Sequence, residues 1–281
     1  MSTGVRMSAG EGTGVLESHL RQRRDAGSAL LVPYVMAGVS ADWLDQARAF
    51  AAAGADAIEI GLPFSDPMLD GIAVQQASQR ALERGATPRT AIDEVGGLAL
   101  DIPLVAMTYS NVVIRHGREQ FCERLRDAGF AGLIVVDTPH DEAEPLVVTA
   151  REHDLDLVLM VAPSTSDRRV ARIAELSRGF VYAATVMGPT GEREGVPEAA
   201  GRLVTRVRRH STRPVLLGFG ISTPADAARA ASIADGVAVG SALMRQVLAG
   251  ASPAETEGFV RDLRSALDAG SALGADRRWD R

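Results

Sequence analysis

Apolar residues gather along this chain in short, almost unbroken runs. They are ALLVPYVMAG from Ala29, AIEIGLP from Ala57, PLVAMTY from Pro103, GLIVVD from Gly132, DLVLMVAP from Asp156, FVYAA from Phe180, PVLLGFG from Pro214 and GVAVGS from Gly236. A strand with one wet face alternates apolar and polar positions. Unbroken runs of this length instead predict strands covered on both faces, as in parallel sheets. Between them lie alanine-rich segments with helical spacing, such as DWLDQARAFAAAG, REQFCERLRDAG, RRVARIAELSRG and PEAAGRLVTRVRR. Glycines in AAAGADAIEI, RDAGFAGLIV and LSRGFVYAA fall where a helix stops before the next strand.

Eight strand-then-helix units in a chain of 281 residues predict a single α/β domain, a closed (β/α)8 or TIM barrel. An open doubly wound sheet is the rival. It fits less well, because no GxGxxG follows the first strand and eight apolar strands are many for one open sheet. The expected boundaries are a flexible leader over 1–13, the barrel over 14–269 and a disordered tail over 270–281. Within the barrel, Gly14 to Arg24 reads as a lid helix at the bottom. The long interval after the second strand has room for an additional helix around Ala73 to Leu82, and a last helix is expected from Ala254 to Ala269.

Composition removes several function classes. A net charge of -6 provides no basic field for nucleic acid. All 30 basic residues are arginine, so there is no lysine for a Schiff base, for pyridoxal phosphate or for a P-loop. The single cysteine, Cys122 in QFCERL, excludes an intrachain disulfide and reads as a small apolar residue on a helix. The leader MSTGVRMSAGEGTG has no apolar signal core and no run is long enough to span a membrane, which leads us to expect a cytoplasmic protein. Of five histidines only His116 and His140 follow strands, and two scattered histidines make a poor metal site.

Candidate chemistry concentrates in DAIEIGLPFSDPMLDG, Asp56 to Gly71. Glu59 interrupts an apolar strand, and a buried carboxylate is costly unless it has a task. In such barrels the active site forms at the C-terminal ends of the strands, where a partly desolvated Glu59 would have its pKa raised toward the range useful for proton transfer. A glutamate pointing outward to a helix arginine is the plainer reading. In the loop that follows, Asp70 is the better candidate for reaching the pocket, while Asp66 reads equally as a brace for the turn. Across the mouth, GFGIS after the seventh strand and GS after the eighth place glycines and helix N-termini where an anion can bind. The long loop TVMGPTGEREGVPE reads as a lid, or as an ordinary surface loop, with a further anion contact at Gly191.

Together the motifs AGADAIEIGLPFSDPMLDG, MTYSN, GLIVVD, GFVYAA, MGPTG, GFGIS and VGS resemble the α chain of tryptophan synthase, from about Val32 to Val247. The resemblance implies a cofactor-free, metal-free TIM-barrel lyase of tryptophan biosynthesis. It would split indole-3-glycerol phosphate into indole and glyceraldehyde 3-phosphate and pass indole to a pyridoxal-phosphate β subunit, in a heterotetramer of two α and two β chains. By similarity, Glu59 is the proton donor and acceptor, Asp70 balances charge on the indole N–H, and Tyr182 orients the substrate. Gly191, Gly220, Gly240 and Ser241 match phosphate-binding positions. Tyr34, Val74, Tyr109 and Phe219 match positions flanking the indole, and read equally as core packing.

Departures from the family pattern lie in loops: MAGVS after the first strand, Ile72, Val112, and Thr185, Val186 and Pro189 in the lid. They spare both carboxylates but bear on a β partner. A freestanding indole-releasing lyase and a non-catalytic activator of a β subunit are therefore the alternative readings. A sugar-phosphate isomerase or aldolase is more distant, and a Schiff-base aldolase is excluded by the missing lysine.

Overall fold

The eight apolar runs all form strands in the computed structural model, which describes residues 12–184, 195–218 and 220–274. They are β1 (Leu30–Met36), β2 (Ile58–Gly61), β3 (Leu104–Thr108), β4 (Gly132–Val135), β5 (Asp156–Val161), β6 (Val181–Ala184), β7 (Val215–Gly218) and β8 (Gly236–Val239). All pairings are parallel and follow chain order, and β8 returns to β1 through the register Leu30↔Gly236 to close the barrel. Every residue of β1, β2, β3, β4, β7 and β8 is buried, which is why these runs lack alternation. The fold is thus the (β/α)8 barrel and not an open sheet.

Helices form the outer layer. They are α1 (Val15–Asp25), α2 (Trp43–Ala52), α3 (Ile72–Glu83), α4 (Pro88–Val95), α5 (Ser110–His116), α6 (Arg118–Asp127), α7 (Glu144–Glu152), α8 (Asp167–Leu176), α9 (Gly195–Arg208), α10 (Pro224–Ala231), α11 (Ser241–Leu248) and α12 (Pro253–Gly274). The helix expected around Ala73 to Leu82 is α3. A second helix, α4, follows it, opened by a reciprocal capping box between Thr87 and Thr90 with Pro88 in the first turn. After β3 there are also two helices, separated at Gly117, whose φ is 78°. On α6, Phe121, Cys122 and Leu125 form the buried stripe. The last helix runs to Gly274, five residues beyond the expected end at Ala269, and the remainder of the expected tail, 275–281, lies outside the described residues.

The bottom of the barrel is closed by α1, which buries Leu16 and Leu20 completely. Around them, buried carboxylates meet arginines. Glu17 accepts from Arg21 at 2.8 Å and Arg213 at 2.9 Å. Asp156 accepts from the Glu17 N–H at 2.9 Å and from Arg178 at 3.1 Å, and Asp56 accepts from the Leu31 N–H at 2.8 Å, Arg23 at 2.7 Å and Arg264 at 3.1 Å. Such groups tie α1 and α12 to strand beginnings. They contribute little net stability while intact but are costly when one partner is removed.

Candidate active site

Near the opposite, C-terminal end of the barrel lies a cavity of about 530 Å³. Glu59, on β2, lines it and is only 2% exposed. Its register neighbours are Tyr34 on β1 and Val105 on β3, so the carboxyl stands among apolar and aromatic side chains rather than outside the wall. The Oε1 atom is buried with no hydrogen-bond partner among the described residues. Burial, reinforced by the negative charge of Asp70, pushes the Glu59 pKa up to about 8. At neutral pH this group holds a proton inside the cavity.

Asp70 also faces the cavity, from the loop between β2 and α3. Burial raises its pKa to about 6, against a hydrogen bond from Tyr109 that lowers it. The Tyr109 hydroxyl donates to Asp70 Oδ2 at 2.9 Å and accepts from the Leu69 N–H at 3.2 Å. Its ring stacks on Phe64, with centroids 5.1 Å apart. Tyr109 therefore stands behind Asp70 and fixes it from the loop after β3, and it is not among the cavity-lining residues. Asp66 is exposed and accepts from Ser65 at 2.5 Å, a local brace of the turn.

Tyr34 and Tyr182 complete the wall beside Glu59, at 4% and 5% exposure. Burial first, and then the neighbouring carboxylates, raise both phenol pKa values, so both hydroxyls stay protonated. Two glycines make room for these rings. A Cβ at Gly61 would collide with the Tyr34 ring, and one at Gly218 with the Tyr182 ring. The rim is formed by Val74 on α3, Gly220 after β7, and Gly240 and Ser241 at the start of α11. Ser241 Oγ would lie 3.2 Å from a Cβ added to Gly71, which puts the N-termini of α3 and α11 side by side. That is an arrangement suited to an anion.

The cavity thus gathers Glu59, Asp70, Tyr182, Tyr34, Val74, Gly220, Gly240 and Ser241, with Tyr109 one layer behind. Gly191 and Phe219, and the lid positions Thr185, Val186 and Pro189, lie outside the described residues. Met107, Ser222 and Arg245 line the same space without having been singled out in the sequence. For Arg245 a signal was available: it follows Ser241 by four residues, one helical turn. No group of three or more histidine, cysteine or acidic side chains with metal-binding geometry occurs among the described residues. Nor is any helix among them long and apolar enough to cross a membrane.

Comparison with known proteins agrees along nearly the whole barrel. The family model for the tryptophan synthase alpha chain matches residues 20–266. The tryptophan synthase alpha chain of Synechococcus sp. (strain CC9902) is 42% identical over 258 residues, covering 88% of this chain and 95% of that one. That of Gloeobacter violaceus is 44% identical over 220 residues, 76% of this chain and 79% of the other. Among solved structures, an open form of tryptophan synthase from M. tuberculosis superposes with a TM-score of 0.83 at 34% identity, covering 91% of this chain and 99% of that one. This chain belongs to the tryptophan synthase alpha chain family.

Proposed function

We propose that this chain is a lyase of tryptophan biosynthesis that cleaves indole-3-glycerol phosphate to indole and glyceraldehyde 3-phosphate, with Glu59 moving the proton. One observation carries the reading: a buried carboxyl, protonated near neutrality and with an oxygen unpartnered among the described residues, faces a cavity of substrate size. Family membership supports it.

The step needs one proton to move from a hydroxyl to a carbon. Glu59 gives its proton to indole C3, which leaves positive charge on the ring nitrogen. Asp70, whose pKa of about 6 leaves it mostly ionised at neutral pH, balances that charge. The bond from C3 to the adjoining carbinol carbon then breaks, its electrons returning to the ring. As that carbon becomes an aldehyde, the Glu59 carboxylate takes its hydroxyl proton and is restored. No oxidant, cofactor or metal enters this balance. Tyr182 orients the substrate beside Glu59, with Tyr34, Val74 and Phe219 around the indole. Gly191, Gly220, Gly240 and Ser241 hold the phosphate through backbone amides, the Ser241 hydroxyl and helix ends.

Incubating the purified chain with indole-3-glycerol phosphate and following indole release tests this directly. Glu59→Gln should lower the rate by at least about 10²-fold, the scale for losing a general acid or base. An unchanged rate rejects the assignment.

A β subunit as partner, in a complex of two α and two β chains, belongs to the same proposal. The segments after β2 and β3 support it, because Met68 and Leu69 in the loop before α3, Ile72 at the start of α3 and Ile114 on α5 are large apolar side chains left 53 to 78% exposed. High unassisted turnover with no stable complex would instead favour a freestanding lyase. A cytoplasmic setting is part of the reading, and the lone buried cysteine fits a reducing compartment.

A further inference from the structure

Asp70 carries its charge into the cavity, and the whole chain carries a net charge of -6, yet the substrate proposed above is a phosphate dianion. Among the described residues lining the cavity, Arg245 is the only cation. It lies on α11, one turn after Ser241, and helical side chains lean back toward the helix N-terminus. The stem of Arg245 therefore runs toward the rim formed by Gly240 and Ser241. Its Nη2 reaches Ser222 Oγ, in the loop after β7, at 3.4 Å. That contact is long and exposed, so a phosphate oxygen can replace it at little loss.

We propose that Arg245 is a phosphate-recognition residue, which meets the anion from the solvent side while the rim amides hold it from within. The inference rests on the lyase reading for the identity of the substrate. The helix N-termini of α3 and α11 supply only partial charges at this rim. A full positive charge with a planar pair of donors adds what amides lack, and it matches a phosphate better than an ammonium group would. It takes no part in proton transfer. Its contribution should be equal in the ground and transition states, and so appear in KM rather than kcat.

The test compares the parent chain with Arg245→Gln, Arg245→Lys and Arg209→Gln. Arg209 is exposed on the groove along α9, away from the cavity, and its loss is a charge-matched control. Inorganic phosphate binding is measured by calorimetry at low and moderate salt, and indole release from indole-3-glycerol phosphate is measured in parallel. Arg245→Gln should weaken phosphate binding by on the order of 10- to 100-fold, the scale for a charge-assisted hydrogen bond, and flatten its salt dependence. KM should rise by a similar factor with kcat within about twofold. Arg245→Lys should retain part of the affinity, and Arg209→Gln all of it. Phosphate bound as tightly by Arg245→Gln as by the parent overturns the proposal, as does an equal loss in Arg209→Gln or a parent that binds no phosphate. If the parent binds phosphate through Arg245 but releases no indole, the lyase reading fails and the Arg245 assignment stands.

Discussion

Glu59 and Asp70 share a cavity but hold their protons differently, at pKa values of about 8 and 6. The proposed step needs the first protonated and the second ionised, so indole release should follow a bell-shaped pH profile with limbs near 6 and 8 that belong to the pair. Tyr109→Phe removes the hydrogen bond that holds the Asp70 pKa down. The acid limb should then move to higher pH, with a larger loss of kcat/KM at pH 6 than at pH 8. Glu59 also opposes folding. Its pKa in the folded chain lies above the ordinary 4.5, so protonation favours the native state. That contribution is complete below about pH 4.5 and is lost as pH rises toward about 8. At pH 7 the penalty is on the order of 3 kcal/mol. Glu59→Gln should therefore raise the melting temperature at pH 8 more than at pH 5, even as it lowers turnover by at least about 10²-fold. Both carboxylates were legible in the sequence, Glu59 because it breaks an apolar run and Asp70 because it precedes a glycine at a loop end. The support from Tyr109 was not, because it links residues 39 positions apart. Arg245 escaped notice because an exposed arginine on a helix reads as a solvated face.

Elements were more legible than side chains. All eight strands could be read from nearly continuous apolarity, since parallel strands covered on both faces lack a regular polar alternation, and Glu59 stands out against that background. Short helices were harder. Two were missed: α5, which has seven residues, and α4, whose capping signal at Thr87 and Pro88 lay within a long interval already assigned one helix. Strand glycines carry a packing demand that apolarity alone does not reveal. Gly218→Ala should push the Tyr182 ring out of place. Chemical denaturation should show a loss of roughly 1 to 3 kcal/mol, the range for overpacking a core, together with a fall in kcat. Wild-type turnover in a Gly218→Ala chain would mean that Tyr182 is dispensable for the step.

Across the whole molecule, the two ends of the barrel are separated in chemistry. The mouth holds raised carboxyl groups, an open rim and exposed apolar loops. The bottom holds carboxylates satisfied by arginines and backbone amides around α1. Glu17→Ala, at the bottom, leaves Arg213 and Arg21 without their carboxylate. Both arginines keep contact with water, so the change should destabilise the fold by about 1 to 3 kcal/mol in urea titrations while the KM of the folded fraction stays unchanged. The α6 stripe has a practical corollary. Cys122 is wholly enclosed and its thiol is pushed up to about 12, so in the native chain it offers almost no thiolate to an alkylating reagent. No lysine competes for the label, and no second sulfhydryl blurs the signal. The rate of modification at this one atom is then an intrinsic clock for the peeling of the outer helical layer from the barrel.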